Sequence, residues 1–164
     1  MTLLRELFAG QLPELVMFDL DGTLMPSAEV DNACYWQAVH AVYGGGPGAE
    51  DLAGFSQVTD GGILNEWVSA RLRRAPSGQE RLEVRQRFLA ALRAAAHEDN
   101  GPFTPRPGVN EWLRRQLGSL STGLAIATGG WGHTARFKLQ CSGLAGFELP
   151  LASSDDAAER TIIM

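Results

Sequence analysis

Cysteine and long apolar runs are scarce in this 164-residue sequence, and it has a single lysine, Lys138. Cys34 and Cys141 stand far apart and match no metal-ligand or redox spacing, which excludes a zinc-finger or CxxC framework. Two buried free thiols in a reducing cytosol are the expectation. No apolar run reaches the ~18 residues of a membrane span. The opening MTLLRELFAGQLPEL spreads its charges too evenly for a secretory signal; it reads as a short amphipathic turn leading into a first strand. Positive charge is also lacking, with a formal net charge of −5 and both signs mixed along the chain. Neither nucleic acid nor an anionic membrane is therefore the expected partner. The one basic concentration, Arg71, Arg73, Arg74, Arg81, Arg85 and Arg87, reads as a solvated helical face. A hydrophobic fraction of 45% suits a globular, cytoplasmic protein of one or two compact units.

What the sequence does contain is concentrated in VMFDLDGTLM, residues 16–25. The apolar run 15–18 predicts a short strand covered on both faces. Aspartate and glycine are poor strand formers, so Asp19, Asp21 and Gly22 call for a reason other than folding. Side chains two apart in an extended segment project to the same side, which puts both carboxylates at one crevice. Such a pair is costly unless a cation or a shared proton relieves it, and an oxygen-preferring ion such as Mg²⁺ suits the place. Gly22 lets the backbone turn sharply beside a ligand. A calcium loop counted from Asp19 would need glycine at its sixth position and glutamate at its twelfth, where this sequence has Leu24 and Val30. Capping of a helix or turn by the aspartates would leave the paired carboxylates unexplained.

Apolar spacing at Val30, Cys34, Ala38 and Val42 predicts a helix over 29–43, ended by GGGPG at 44–48. Further helices are expected over 63–74, closed by Pro76-Ser77-Gly78, and over 79–97. The connector NGPFTPRPG, 100–108, cannot remain helical. Beyond it the pattern predicts a helix (109–117), a strand (124–127), a helix (133–141), a strand (149–152) and a helix starting near 157. Strands alternating with helices imply an α/β fold with a Rossmann-like parallel sheet. The core comprises 1–26 and 105–164, and 27–104 forms an inserted α-helical cap over the C-terminal end of strand one, where open α/β sheets place their sites.

The run Phe18-Asp19-Leu20-Asp21-Gly22-Thr23-Leu24 resembles the first motif of the haloacid dehalogenase-like (HAD) hydrolase superfamily, mostly phosphatases and phosphomutases, and the order of segments is similar along essentially the whole chain. The resemblance implies that Asp19 is the nucleophile, forming an aspartyl-phosphate, and Asp21 the acid/base, with both binding Mg²⁺. It makes LAIATGG, 124–130, the second motif, with Thr128 and Gly129 as phosphate ligands. A hydroxyl and free N–H groups at a helix start suit that role. Arg160 falls where the family's third-motif basic residue is expected, whereas Lys138, in the helix after Thr128, is expected at the surface. Trp131 reads as core and His133 as helix-start polarity. Asp156 and Glu159 have the spacing of a capping box. Thr59 and Asp60 are a candidate contact of the cap or an ordinary turn.

The resemblance also implies a fourth, acidic motif after a further strand, and this sequence reaches Met164 without one. A truncated chain with an exposed apolar edge at strand one, weak metal binding and little turnover is therefore expected. For the intact protein the expectation is an Mg²⁺-dependent phosphatase acting on a small phosphorylated metabolite. A phosphomutase of the same fold, or a catalytically incomplete binding module, are the alternatives; a dehalogenase usually lacks the second aspartate.

Overall fold

A computed structural model of the protein describes residues 14–45, 54–117 and 122–163. The amphipathic turn expected at the start of the chain and Gly46-Pro47-Gly48 of the expected breaker lie outside the described residues. Strand β1 (Glu14–Phe18) is followed by helices α1 (Ala28–Tyr43), α2 (Asp60–Leu72) and α3 (Gly78–Glu98). Then come α4 (Val109–Leu117), β2 (Thr122–Ala127), α5 (Gly132–Ser142), the two-residue β3 (Leu151–Ala152) and α6 (Arg160–Ile163). The three strands make one parallel sheet in the order β1-β2-β3. This is the expected α/β architecture.

Val16 lies opposite Leu124 and Phe18 opposite Ile126. That register sends Val16 and Phe18 into a core with Leu113, Leu124, Ile126 and Leu139. Leu15 and Met17, on the other face by the period of two, are 62% and 42% exposed. The expectation of a strand covered on both faces is corrected accordingly. The third strand is shorter than the expected 149–152 because Pro150 has no N–H to offer a ladder; its carbonyl still accepts from Ile126 N–H at 2.8 Å.

The helical segment builds a second apolar cluster. Val84, Phe88 and Leu92 recur on one face of α3 and are fully buried with Tyr35, Ala38 and Val39 of α1. Tyr35 meets Phe88 edge-on, with ring centroids 5.5 Å apart. Trp131, from the loop after β2, joins this cluster rather than the sheet core, and Phe137 and Cys141 pack against it. Helix α3 starts in a complete capping box, Ser77 with Glu80, whereas α1 stops at Gly44, which takes a left-handed φ of 73°. Cys34 is buried as expected; Cys141 is only partly so. Among the described residues no helix is long and apolar enough to cross a membrane.

Candidate active site

The chain leaves β1 at Phe18 and turns at once. Leu20 drops into the core and accepts backbone bonds from Thr23, Leu24 and Met25. Gly22, at φ 82°, adopts the left-handed conformation that this turn requires. Its carbonyl is held by Arg106 Nε and Nη2 at 3.1 and 2.9 Å. Asp19 and Asp21 thus flank a buried leucine on a turn tied down from the far side of the helical segment.

The two carboxylates are held in different ways. Asp19 remains 30% exposed, and its Oδ1 lies 3.1 Å from Arg160 Nη2. Burial raises its carboxyl above the ordinary aspartate value; the Arg160 charge opposes this and the Asp21 charge adds to it. Asp21 receives two short bonds, from the Ser27 hydroxyl to Oδ1 at 2.6 Å and from Lys138 Nζ to Oδ2 at 2.5 Å. Lys138 Nζ also donates to Asp31 Oδ1 at 2.6 Å.

Lys138 is therefore not at the surface: its side chain is 0% exposed. Burial alone would push its ammonium down, but the Asp31 and Asp21 charges outweigh that and hold it above the ordinary lysine range. Asp31 is raised to about 6, by burial first and by Asp21 in addition, against the pull of Lys138. Sequence reasoning missed Asp31 altogether. The only available signal was its place on α1, four residues after Ser27.

Thr128 follows β2 and is buried, and its Oγ accepts from Gly130 N–H at 3.1 Å. Gly129 is tightly enclosed: a Cβ at that position would lie 2.7 Å from the Val58 carbonyl oxygen and 3.2 Å from Arg160 Nη1. Arg160 thus bridges Asp19 and the threonine turn. The turn is also clamped from α2. Asp60 N–H donates to Gly129 O at 2.9 Å, and Trp131 N–H donates to Asp60 Oδ2 at 2.8 Å. Burial, with the Asp31 charge second, raises the Asp60 carboxyl to about 8. Thr59 is the N-cap of α2, accepting from Gly62 N–H at 3.1 Å and donating its hydroxyl to Ala158 O at 2.7 Å. This cap is why α2 begins at Asp60, ahead of the expected 63.

Two further expectations need correction. Asp156 does not cap the last helix; its Oδ2 accepts from the Ser153 N–H at 2.8 Å. Its neighbour Asp155 takes the Gly132 N–H, at the start of α5, at 3.1 Å. Asp155 also pairs with Arg85, whose guanidinium lies over the Trp131 ring. Arg85 is therefore turned toward the sheet rather than solvated with Arg71 and Arg73. His133 is more than helix-start polarity, because Nε2 lies 3.1 Å from Arg85 O.

The carboxylates suit a hard cation. A carboxylate offers about four lone-pair sites, so the two bonds to Asp21 leave capacity, as does the pairing of Asp19 Oδ1 with Arg160. Among the described residues there is no cluster of three His, Cys, Asp or Glu side chains that could hold a metal. Asp19 and Asp21 would furnish part of an oxygen shell completed by water or substrate.

No protein-family model matches the sequence, and neither does any curated protein. Solved structures do. A hydrolase from Pseudomonas syringae superposes with a TM-score of 0.63 at 22% identity, covering 90% of this chain and 64% of that one. CbbY from Rhodobacter sphaeroides, in complex with phosphate, gives 0.61 at 20% identity, with 90% and 66% covered. A family IA, variant 3 HAD hydrolase from Entamoeba histolytica gives 0.60 at 13%, with 84% and 60% covered. The chain has the fold of the HAD-like hydrolases. It spans less than two thirds of the length of these solved neighbours.

Proposed function

We propose that the protein is an Mg²⁺-dependent phosphomonoester hydrolase, acting on a small phosphorylated metabolite through an aspartyl-phosphate. The unequal treatment of two neighbouring carboxylates carries this reading. Asp19 is accessible and held on one oxygen by Arg160, whereas Asp21 is fixed by Ser27 and Lys138. A nucleophile needs a reachable lone pair beside a positive group, and an acid/base needs a rigid position.

In the first step an Asp19 oxygen bonds to phosphorus. The bond from phosphorus to the ester oxygen breaks, and that oxygen takes a proton from Asp21. In the second step water attacks phosphorus while Asp21 takes back a proton, releasing inorganic phosphate and free Asp19. Arg160, the Thr128 hydroxyl and the Gly129 N–H would orient the phosphoryl oxygens, a task of positioning and charge neutralisation. Mg²⁺ bound by Asp19 and Asp21 would supply further neutralisation. The helical segment 27–104 would act as a cap that excludes water, since α2 grips the threonine turn through Asp60. A cytoplasmic setting belongs to the same proposal.

The test is hydrolysis of an aryl phosphate with and without Mg²⁺, together with mass spectrometry of acid-quenched protein for a phosphoryl adduct on Asp19. Asp19→Asn should abolish both signals. Turnover that survives in that variant would refute the reading.

A further inference from the structure

Both oxygens of Asp21 are held from one helix. Ser27 stands at the N-cap of α1, where a serine ordinarily accepts an N–H of its own helix. Here its side chain caps nothing; it is fully buried, and its hydroxyl donates to Asp21 Oδ1 at 2.6 Å. One turn later comes Asp31, whose N–H donates to Ser27 O at 2.8 Å. Its carboxylate accepts from the same Lys138 ammonium that donates to Asp21 Oδ2. Helix α1 thus reaches the first oxygen directly and the second through a lysine of α5. An acid in the first turn of a helix ordinarily answers the helix dipole. Asp31 instead turns inward, to an ammonium with no exposure to solvent.

We infer that Asp31 is a positioning residue for the acid/base: by anchoring the Lys138 ammonium it fixes the plane of the Asp21 carboxyl and so aims its proton at the ester oxygen. The inference rests on the proposed function, which makes Asp21 that acid. The torsion that turns an aspartate carboxyl is broad, so the Ser27 bond alone leaves the other oxygen free to swing. A lysine stem is flexible as well, and an ammonium bonded to Asp21 alone would follow the carboxyl rather than restrain it. Asp31 supplies the second acceptor, 2.6 Å away and carried on a helix, which gives the ammonium a fixed place. Orientation counts most where a proton must move, and a misplacement of about 1 Å can cost about 10²-fold in rate.

Hydrolysis of two aryl phosphates by the full chain with Mg²⁺ tests this. Phenyl phosphate has a basic leaving oxygen that needs a proton, whereas 2,4-dinitrophenyl phosphate has one that departs readily without it. The measure is kcat/KM, because it reads the first step and not the later hydrolysis that both esters share. Asp31→Ala should lower kcat/KM for phenyl phosphate about 10²-fold and leave that for the dinitrophenyl ester nearly unchanged. Asp31→Asn, whose amide oxygen still accepts from the ammonium, should retain most of the wild-type value for both. A merely structural aspartate would depress the two esters together, through the fraction of protein that is folded. Should Asp31→Ala not fold, Asp31→Glu keeps the charge while displacing the ammonium by a methylene, and the same selective loss is expected. Equal losses for the two esters, or no loss in either, overturn the inference and leave the proposed function standing. Wild-type protein that turns over neither ester removes the proposed function and the inference with it.

Discussion

The ammonium of Lys138 stands between Asp21 and Asp31, 2.5 and 2.6 Å from their oxygens, with no exposure to solvent. It ties the turn after β1, helix α1 and helix α5 together at one point. Removing one member of a buried ion network strands the others, which costs about 3–5 kcal/mol. Lys138→Met should therefore lower unfolding stability by about that amount in urea titrations, and Asp31→Asn by less, since a neutral amide can still accept from the ammonium.

Asp60 should make stability depend on pH in a defined direction. Its folded-state value, about 8, lies above the ordinary 3.8, so the folded protein binds this proton more tightly than the unfolded chain does. The favourable contribution is complete below pH ~4 and is lost as pH climbs toward 8. The stability of Asp60→Asn relative to the wild-type protein should rise across that window. An asparagine carbonyl can still accept from Trp131 N–H, so phosphate binding should survive in this variant and weaken in Asp60→Ala.

At Gly129 the constraint is space. An added methyl group would meet the Val58 carbonyl oxygen at 2.7 Å, a distance that backbone must yield to relieve. Gly129→Ala should cost about 1–3 kcal/mol of stability and weaken binding of inorganic phosphate, read by urea titration and calorimetry.

If Arg160 neutralises the nucleophile and its phosphoryl group, Arg160→Ala should lower kcat for aryl phosphate by about 10²-fold, the scale of losing one preorganised donor. Because the Arg160–Asp19 pair is partly exposed, the same change should move thermal stability by less than ~1 kcal/mol. A large drop in stability with unchanged kcat would assign the arginine a structural role instead.

Much of this organisation is written in short-range pattern. The apolar run ending in Asp19-Leu20-Asp21-Gly22 marks a strand and its turn, because alternation, poor strand formers and a glycine with left-handed φ act within a few residues. The parallel α/β order follows from the alternation of elements in the same way, as do the starts of α1 and α3. Partly legible features sit where a cap or a proline adjusts an end: α2 begins early on the Thr59 cap, and β3 is shortened at Pro150.

Everything that distinguishes the two carboxylates required the tertiary structure. Lys138 reaches Asp21 across 117 positions and Asp31 across 107, and Asp60 reaches the Trp131 amide across 71. On its own helix Lys138 is one polar residue among several, which local physics assigns to solvent. Its burial is decided by carboxylates arriving from other elements, whose Coulomb attraction outweighs desolvation only once the chain has brought them within bonding distance. By itself, then, the sequence determined where the strand breaks and which acids stand there. The fold decided what each acid touches, because charges pair by distance in space and not by distance along the chain.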